Sequence, residues 1–216
     1  MVGGNYWKLT ADSVAPGYPR PVTEDWTGLP TDIDAAFTWK EFGATFFFKG
    51  NQYWRFENMV PSPGYPKPLY KGFPDIPESV DAAFVWGGNG KIYFLKGNQY
   101  WKFDPDKTPH VQVGKYPRSL EQWGLPPSVD AALQWDNGKT YFFKGGNYWR
   151  FNDRRFEVDA GFPRNAGEWW FGCPKLRPLV AEGAQTAAAE AEYAYVDLDQ
   201  EYFNNAGNED LDVDSS

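Results

Sequence analysis

The chain repeats a set of phrases about every fifty residues, and this period constrains its fold more than any other feature. An Asp-Ala-Ala phrase begins at Asp34, Asp81 and Asp130, at spacings of 47 and 49 residues. Each copy is followed by an aromatic run ending in Lys-Gly, then by Asn-Gln-Tyr-Trp or Gly-Asn-Tyr-Trp, and then by a proline turn. A period of this length is typical of propellers and solenoids.

The segments within each unit predict short antiparallel strands that are covered on both faces. Asn-Gly pairs at 89–90 and 137–138 separate the Asp-Ala-Ala strand from the aromatic strand and supply the positive φ angles of a tight hairpin. The aromatic strand at 91–95 is apolar at nearly every position, as in a strand packed on both sides. Together with 11 Trp, 13 Tyr and 17 Phe, these features predict an all-β protein in which blade packs on blade.

The order of the phrases predicts a four-bladed β-propeller whose first blade is incomplete. The start of the chain at 5–7 matches the third phrase, so the first unit holds only a third strand and its connector. Segments of helical character after the proline turns, at 22–26 and 119–123, predict these connectors. The predicted units are partial blade 1 at 1–32, blade 2 at 33–79, blade 3 at 80–128, blade 4 at 129–173 and a disordered acidic tail at 174–216.

The net charge of −8 is distributed unevenly along the chain. Residues 177–216 carry ten Asp or Glu against one Arg, which leaves twenty basic and nineteen acidic residues in 1–176. Because the propeller is nearly neutral, we expect no nucleic-acid partner. No apolar run approaches the roughly eighteen residues that a membrane helix needs, so no membrane span is expected.

Catalysis is not expected from this chain, because it has a single histidine. A zinc protease needs two His and a Glu in the order His-Glu-x-x-His. Serine or cysteine catalysis needs a His base beside the nucleophile, and haem ligation by a His pair is excluded in the same way. His110 follows Pro109 in a predicted loop, where we expect a solvated side chain. The sequence therefore predicts no catalytic and no cofactor-binding residues.

The order of the phrases, closed by Trp-Trp-Phe-Gly-Cys at 169–173, resembles the hemopexin-like domain at the C-terminal end of secreted matrix metalloproteinases, in an invertebrate form. The resemblance covers residues 3–173 and implies a hemopexin-like four-bladed propeller. It also implies that Cys173 pairs with a cysteine at the start of the first blade, which this sequence lacks. The chain is therefore expected to be an N-terminally truncated fragment of the domain.

The same resemblance implies an ion site in the central channel of the propeller. In the family, backbone carbonyls of the Asp and of the second residue after it bind calcium, and oxygen ligands suit this hard cation. The alternative is that these Asp side chains cap the strand starts and link blades, while small Ala residues allow the strands to crowd the axis. The residues implied as calcium ligands are Asp34, Ala36, Asp81, Ala83, Asp130 and Ala132.

The recurring aromatic and lysine residues favour structural roles. The Tyr-Trp pairs at 53–54, 100–101 and 148–149 stand at one position of every repeat, which indicates core packing rather than a carbohydrate-binding platform. For the same reason Lys49, Lys96 and Lys144 are expected to be turn residues at the blade rims.

The resemblance implies a secreted protein of the extracellular matrix that takes part in collagen catabolism. In this interpretation the chain is an exosite that holds collagen-like matrix proteins, or a tissue inhibitor of metalloproteinases, for a separate zinc endopeptidase domain. Zinc would belong only to that absent catalytic domain. The alternative is a free-standing hemopexin-repeat protein, adhesive or ligand-binding, that is never joined to a protease.

Overall fold

The computed structural model describes residues 4–10 and 13–174, and the predicted acidic tail lies outside them except for Pro174. The described residues form four antiparallel β-sheets, one for each predicted blade. Blade 1 comprises β1 (Asn5–Tyr6), β2 (Arg20–Pro21) and helix α1 (Val22–Asp25). Its two strands pair with each other, with Asn5 opposite Pro21 and Tyr6 opposite Arg20.

The other three blades share one layout: an inner strand, a central strand, a third strand, short outer strands and a helical connector. Blade 2 comprises β3 (Ala35–Trp39), a 3-10 helix (Lys40–Phe42), β4 (Ala44–Lys49), β5 (Gln52–Glu57), β6 (Val60–Pro61), β7 (Lys67–Pro68) and α2 (Leu69–Gly72). Blade 3 comprises β8 (Ala82–Val85), β9 (Ile92–Lys96), β10 (Gln99–Phe103), β11 (Arg118–Ser119) and a 3-10 helix (Leu120–Trp123). Blade 4 comprises β12 (Ala131–Gln134), β13 (Thr140–Lys144), β14 (Asn147–Asn152), β15 (Glu157–Val158), β16 (Arg164–Asn165) and α3 (Ala166–Trp170).

The core lies between blades, as the continuous apolar pattern predicts. Ile92, Phe94 and Leu95 on the central strand of blade 3 are all fully buried, although Phe94 and Leu95 project to opposite faces. Phe94 belongs to the cluster shared with blade 2, and Leu95 to the cluster shared with blade 4. The central strands of blades 2 and 3 are therefore covered on both faces by aromatic and aliphatic side chains.

Each connector is tied to its own blade by the same backbone hydrogen bond. The N–H at the first helical residue donates to a carbonyl in the turn before the third strand, over 2.7–2.8 Å. This first residue is buried in every blade, so the connector is anchored by both a hydrogen bond and apolar packing. The four donor and acceptor pairs are Val22–Gly4, Leu69–Asn51, Leu120–Asn98 and Ala166–Gly146.

No helix within residues 4–10 and 13–174 has the length and apolar character that crossing a bilayer requires.

Candidate functional site

The inner strand of each complete blade begins with an Asp whose carboxylate binds the turn between the central and third strands. The acceptor is Oδ2, and the donor is the backbone N–H of the glycine in that turn. These glycines have φ of +55° to +56°, a left-handed conformation that costs glycine little. The pairs are Asp34–Gly50, Asp81–Gly97 and Asp130–Gly145, each at 2.7 Å.

A β-bulge accompanies each of these aspartates. In blade 2 the strand register places Ala35 opposite Phe48, yet the N–H of Asp34 also donates to the Phe48 carbonyl, at 2.9 Å. Two residues of the inner strand thus oppose one residue of the central strand, which interrupts the ladder and turns the backbone locally. Blades 3 and 4 repeat the offset, with Asp81 and Ala82 opposite Leu95, and Asp130 and Ala131 opposite Phe143.

The three inner strands lie side by side, with β8 adjacent to both β3 and β12. Ala35, Ala82, Ala83 and Ala132 on these strands are buried, and their small side chains allow the close approach. The structure therefore places the three predicted ligand pairs on neighbouring inner strands.

The donor set at this place suits a hard cation, because every predicted ligand is a backbone carbonyl oxygen. The carboxylates themselves are already engaged with the glycine N–H groups, and Asp130 Oδ1 also binds Lys144 Nζ at 2.6 Å. Burial would raise the pKa of Asp130, but the Gly145 N–H and the Lys144 ammonium outweigh it, so this pKa lies below its ordinary value. No group of three or more His, Cys, Asp or Glu able to hold a metal occurs in residues 4–10 and 13–174.

The rim lysines bind the loops that lead into the inner strands. Lys49 Nζ donates to the carbonyls of Thr31 and Asp32 at 2.8 and 2.7 Å. Lys96 Nζ donates to the Glu78 carbonyl and, at 2.8 Å, to Ser79 Oγ. The repeat predicted turn residues, whereas each lysine is the last residue of its central strand, immediately before the turn, and has structural partners there.

The tyrosines of the recurring Tyr-Trp pairs are buried, which confirms that they pack in the core. Tyr53, Tyr100 and Tyr148 each belong to a hydrophobic cluster of their own blade. The first two clusters also include side chains of the next blade, whereas the cluster around Tyr148 consists of blade 4 residues.

One face of blade 4 is incompletely covered, and we call it the open face. Its members are Trp135, Tyr141, Phe143, Tyr148 and Trp170, of which Trp135, Phe143 and Trp170 are only half-buried. A cleft of about 190 Å³ lies against it, and its lining also includes Asn137 of blade 4 and Leu9, Thr10 and Ser13 of blade 1. The sequence did not predict this cleft.

Asp153 is an acidic residue outside the predicted ligand set, and its contacts give it a structural role. Its carboxylate accepts hydrogen bonds from Trp86 Nε1 at 2.5 Å and from the Thr140 hydroxyl at 2.7 Å. Burial raises the pKa of Asp153 above its ordinary value, although these hydrogen bonds oppose the shift. The contact with Trp86 links blade 4 to blade 3.

His110 differs from the sequence expectation, because it is half-buried rather than solvated. Its ring stacks on Phe103 with centroids 4.8 Å apart, and its Nδ1 lies 3.1 Å from the Asp104 carbonyl oxygen. The loop folds back because the Asp104 N–H donates to the His110 carbonyl at 2.8 Å. Cys173 is an exposed, free thiol within the described residues.

Comparison with known proteins identifies the repeat. A family model described as Hemopexin matches the chain over residues 33–78, 80–127 and 129–173. The chain belongs to the hemopexin family. Its three complete hemopexin repeats each contain an Asp bulge, a left-handed glycine in the turn before the third strand, and a buried tyrosine on the third strand.

Individual relatives fall into two groups. Stromelysin-1 of the horse, Equus caballus, is 38% identical over 53 residues, which covers 24% of this chain and 11% of stromelysin-1. A plant lectin with two metal binding sites from Cicer arietinum has a TM-score of 0.64 and 21% identity, covering 79% of this chain and 88% of the lectin. Hemopexin fold protein CP4 from cow pea has a TM-score of 0.62 and 21% identity, covering 77% and 87% of the two chains.

A third solved structure, LS24, a seed albumin from Lathyrus sativus, has a TM-score of 0.60 and 22% identity, covering 74% of this chain and 81% of the albumin. At these identities the structural likeness shows the hemopexin fold and nothing further. It agrees with the all-β, four-sheet architecture predicted from the repeat.

Sequence reasoning missed the bulges and the open face of this hemopexin domain. The bulges have no periodic signal, since the Asp-Ala-Ala phrase reads as an ordinary strand start. A signal for the open face is present at Leu9, which occupies the repeat position where Phe56, Phe103 and Phe151 stand. A smaller aliphatic side chain at that position leaves space beside the neighbouring blade.

Proposed function

We propose that this chain is a non-catalytic binding module of the free-standing hemopexin-repeat type, which holds calcium in the channel of its propeller and acts outside the cell. The observation that carries the proposal is the threefold recurrence of an Asp bulge on neighbouring inner strands, with each carboxylate bound to a glycine N–H. This arrangement holds the backbone carbonyls of the strand starts in place, while the Asp side-chain oxygens accept hydrogen bonds from the glycine N–H groups. Rigid, repeated carbonyl donors favour a hard cation.

The residues that would hold the cation are those of the three bulged strand starts. When bound, calcium would supply positive charge that ties neighbouring inner strands together through their carbonyl oxygens. The chain's own residues orient these carbonyls, because the Asp side chains fix the bulges and the small Ala residues let the strands approach. The carbonyls belong to Asp34, Ala36, Asp81, Ala83, Asp130 and Ala132.

A free-standing module is supported by how much of each relative the chain resembles. It covers 88% of the Cicer arietinum lectin and 87% of the cow pea protein, but 11% of stromelysin-1. The lectin is described as having two metal binding sites, which supports a metal in this propeller as well. On this proposal the cation stabilises the fold, and ligand binding uses the outer surface of the blades.

A second candidate is an exosite for a secreted matrix metalloproteinase, favoured by the 38% identity with stromelysin-1 over 53 residues. In that case the ligands are collagen-like matrix proteins or a tissue inhibitor of metalloproteinases, and zinc belongs to a separate catalytic domain. Binding remote from the chemistry would raise the effective concentration of large substrates.

Calcium titration of the metal-free full chain by isothermal calorimetry tests the cation proposal. We expect saturable binding and a higher melting temperature in calcium than in chelator, since a ligand that binds only the native state stabilises it. Asp81→Ala should weaken binding, because it frees the bulge, whereas Asp106→Ala should not, since Asp106 lies in an exposed loop and contacts Lys91. Absence of calcium binding by a folded wild-type chain would overturn the proposal.

Ligand capture separates the two candidate functions. The full chain is applied to immobilised triple-helical collagen, to a tissue inhibitor of metalloproteinases and to a glycan array, each with calcium and with chelator. Calcium-dependent binding to glycans without binding to collagen or inhibitor supports the free-standing module. Saturable binding to collagen or inhibitor alone supports the exosite, and zinc-dependent gelatin hydrolysis by the pure chain contradicts both.

A further inference from the structure

The connector of blade 2 departs from the charge pattern of the other three connectors. Helix α2 (Leu69–Gly72) has no acidic residue in its first turn, and Lys71 stands in its last turn. A residue type that recurs in every blade serves the fold, so a departure from the repeat at an exposed position is where a ligand-specific residue is expected. The acidic residues of the other connectors are Glu24 and Asp25 in α1, Glu121 in the 3-10 helix of blade 3, and Glu168 in α3.

Blade 1 shows how the same positions are paired when acidic residues are present. Arg20 Nη2 lies 3.4 Å from Glu24 Oε2, and Arg20 Nη1 lies 3.1 Å from Asp25 Oδ2. One base and two acids give this corner of blade 1 a formal charge of −1, whereas two bases and no acid give the corner of blade 2 a formal charge of +2. Counted from the first helical residue, the corresponding residues of blade 2 are Lys67, Lys71 and Gly72.

The backbone of the two corners is the same, so the two lysines are placed as Arg20 and Glu24 are. In each blade a two-residue strand leads directly into a four-residue helix. The proline between them has φ −59° and ψ 134° at Pro21, and φ −58° and ψ 140° at Pro68. Blade 2 therefore holds two ammonium groups where blade 1 holds an ion pair, and like charges at such a distance repel each other unless an anion lies between them.

The chain itself does not supply that anion. Among the described residues, no carboxylate pairs with Lys67 or Lys71. Each ammonium lies instead over a tyrosine ring, with Lys67 Nζ 4.4 Å from the centroid of Tyr65 and Lys71 Nζ 5.7 Å from that of Tyr70. A ring attracts the cation but leaves its charge in place. Both lysines thus remain available to an anionic ligand.

Tyr70 is the second departure from the repeat, and its ring is 66% exposed. The residues at the same position of the other connectors are Thr23, Glu121 and Gly167. The glycine at position 72 has a structural reason, because a Cβ there would clash with the Tyr53 hydroxyl. Packing does not explain Tyr70 or Lys71, since both side chains are exposed.

We propose that Tyr65, Lys67, Tyr70 and Lys71, which we call the blade 2 corner, form a binding site for an acidic polysaccharide. The apolar face of a sugar ring stacks on Tyr70, since an exposed aromatic ring offers a flat apolar surface. Sulfate or carboxylate groups on successive sugars pair with the two ammonium groups, and the repeating charge of such a chain matches two neighbouring cations.

This inference rests on the proposed function as a binding module, for which it names a ligand class and a site. It does not involve the channel carbonyls, because the blade 2 corner lies on β7, on α2 and in the turn before them. An isolated inorganic anion would leave Tyr70 without a role.

Biolayer interferometry of the full chain in calcium tests the blade 2 corner against immobilised dextran sulfate, polygalacturonate, neutral dextran and polyglutamate. We expect saturable binding to at least one acidic polysaccharide and none to dextran. Comparison of dextran sulfate with polygalacturonate distinguishes sulfate from carboxylate. Binding to polyglutamate as tight as to the polysaccharides would assign the corner to acidic polypeptides and overturn the proposal.

Charge reversal places the interaction within the molecule. Lys71→Glu should weaken binding by about tenfold or more, because it sets a carboxylate beside Lys67 as Glu24 stands beside Arg20. Lys40→Glu is the matched control, since it makes the same change in net charge at a side chain that is 76% exposed, at the other end of blade 2. It should change binding by less than about twofold. Equal losses in the two variants would overturn the proposal.

Tyr70 variants separate ring stacking from charge alone. Tyr70→Ala should weaken binding to the acidic polysaccharide, whereas Tyr70→Phe, which keeps the ring, should retain it. Equal binding by wild type and Tyr70→Ala would contradict the stacking. Circular dichroism establishes that each variant is folded, and calcium calorimetry of Lys71→Glu should match that of the wild type. A folded chain that binds calcium but neither acidic polysaccharide overturns this inference and leaves the proposed function standing.

Discussion

The covered face of blade 3 and the open face of blade 4 are built from the same repeat, yet they differ in what lies against them. Trp123 at the end of the blade 3 connector is 4% exposed, because Phe142, Phe151 and Phe156 of blade 4 surround its ring. Trp170 at the same position of blade 4 is half-buried. The difference shows that the repeat determines which residue stands at a position, whereas the neighbouring blade determines how much that residue stabilises the fold.

Replacing the connector tryptophan of each blade should have the largest effect on stability, and it tests this difference directly. Trp123→Ala should lower the free energy of unfolding by about 3–5 kcal/mol, because it empties a fully packed interface. Trp170→Ala should cost about 2 kcal/mol, since part of its surface is already in water. Urea unfolding of both variants measures the two losses, and equal losses would show that the open face is covered in solution.

Removing a buried ion pair should lower the free energy of unfolding equally in blades 3 and 4, because these ion pairs do not involve the aromatic faces. Asp104 in blade 3 binds Lys91 at 2.8 Å and Asp159 in blade 4 binds Arg150 at 2.7 Å, with carboxylate side chains 9% and 11% exposed. Asp104→Asn and Asp159→Asn should each cost about 1.5–3 kcal/mol at neutral pH. A much smaller loss for the blade 4 variant would mean that the whole blade, and not only its open face, is loosely packed.

The pH dependence of folding stability tests the ion pair of Asp104. Burial would raise the pKa of Asp104, but hydrogen bonds from Lys91 and the Asp106 N–H, with the charges of Lys91 and Lys107, outweigh it and hold this pKa below its ordinary value. Its stabilisation is therefore complete above the unfolded pKa and is lost as the pH falls through the lower folded pKa. The wild type should lose more stability than Asp104→Asn between about pH 5 and about pH 2. Parallel stability curves for the two proteins would refute the ion pair.

Removing the aspartate that binds the glycine turn should cause a smaller loss of stability, and this loss should be similar in blades 3 and 4. Asp81→Ala removes one hydrogen bond to the Gly97 N–H, and we expect a loss of about 1 kcal/mol, as for a helix cap. Asp130→Ala should cost somewhat more, because it also leaves Lys144 without its carboxylate. Thermal unfolding in chelator, where cation binding does not contribute, compares the two. A larger loss for Asp81→Ala would contradict the added role of Lys144.

The smallest effect concerns Lys40 and Asp136, which follow the inner strands of blades 2 and 4. Their side chains form an ion pair at 2.9 Å but are 76% and 88% exposed. Lys40→Ala should change the free energy of unfolding by less than about 0.5 kcal/mol, because exposed ion pairs contribute little. A loss above about 1 kcal/mol that disappears in high salt would show that the pair holds the two blades together.

Much of the fold follows from local sequence signals. The predicted hairpins at Asn89-Gly90 and Asn137-Gly138 are present, although only the glycines, and not the asparagines before them, have positive φ. The predicted connectors are the helices that begin at Val22 and Leu120. These elements were predictable because turn glycines and apolar runs act through the chain's own neighbours.

Other features depend on contacts between distant residues, and the sequence does not predict them. The outer strands β6, β7, β15 and β16 are two residues long and have no periodic pattern. His110 is half-buried because Phe103 lies beneath its ring. The candidate channel site was implied by the resemblance to the hemopexin-like domain, but its bulges are visible only in the pairing of each inner strand.

Native-state hydrogen exchange tests most directly the claim that the face of blade 3 is covered and that of blade 4 is open. It compares the backbone amides of β9 (Ile92–Lys96), which is packed on both faces, with those of β13 (Thr140–Lys144), one face of which is the open face. We predict that β9 exchanges at the rate of global unfolding and that β13 exchanges faster, through local opening. Equal protection of the two strands, or slower exchange in β13, would contradict the account.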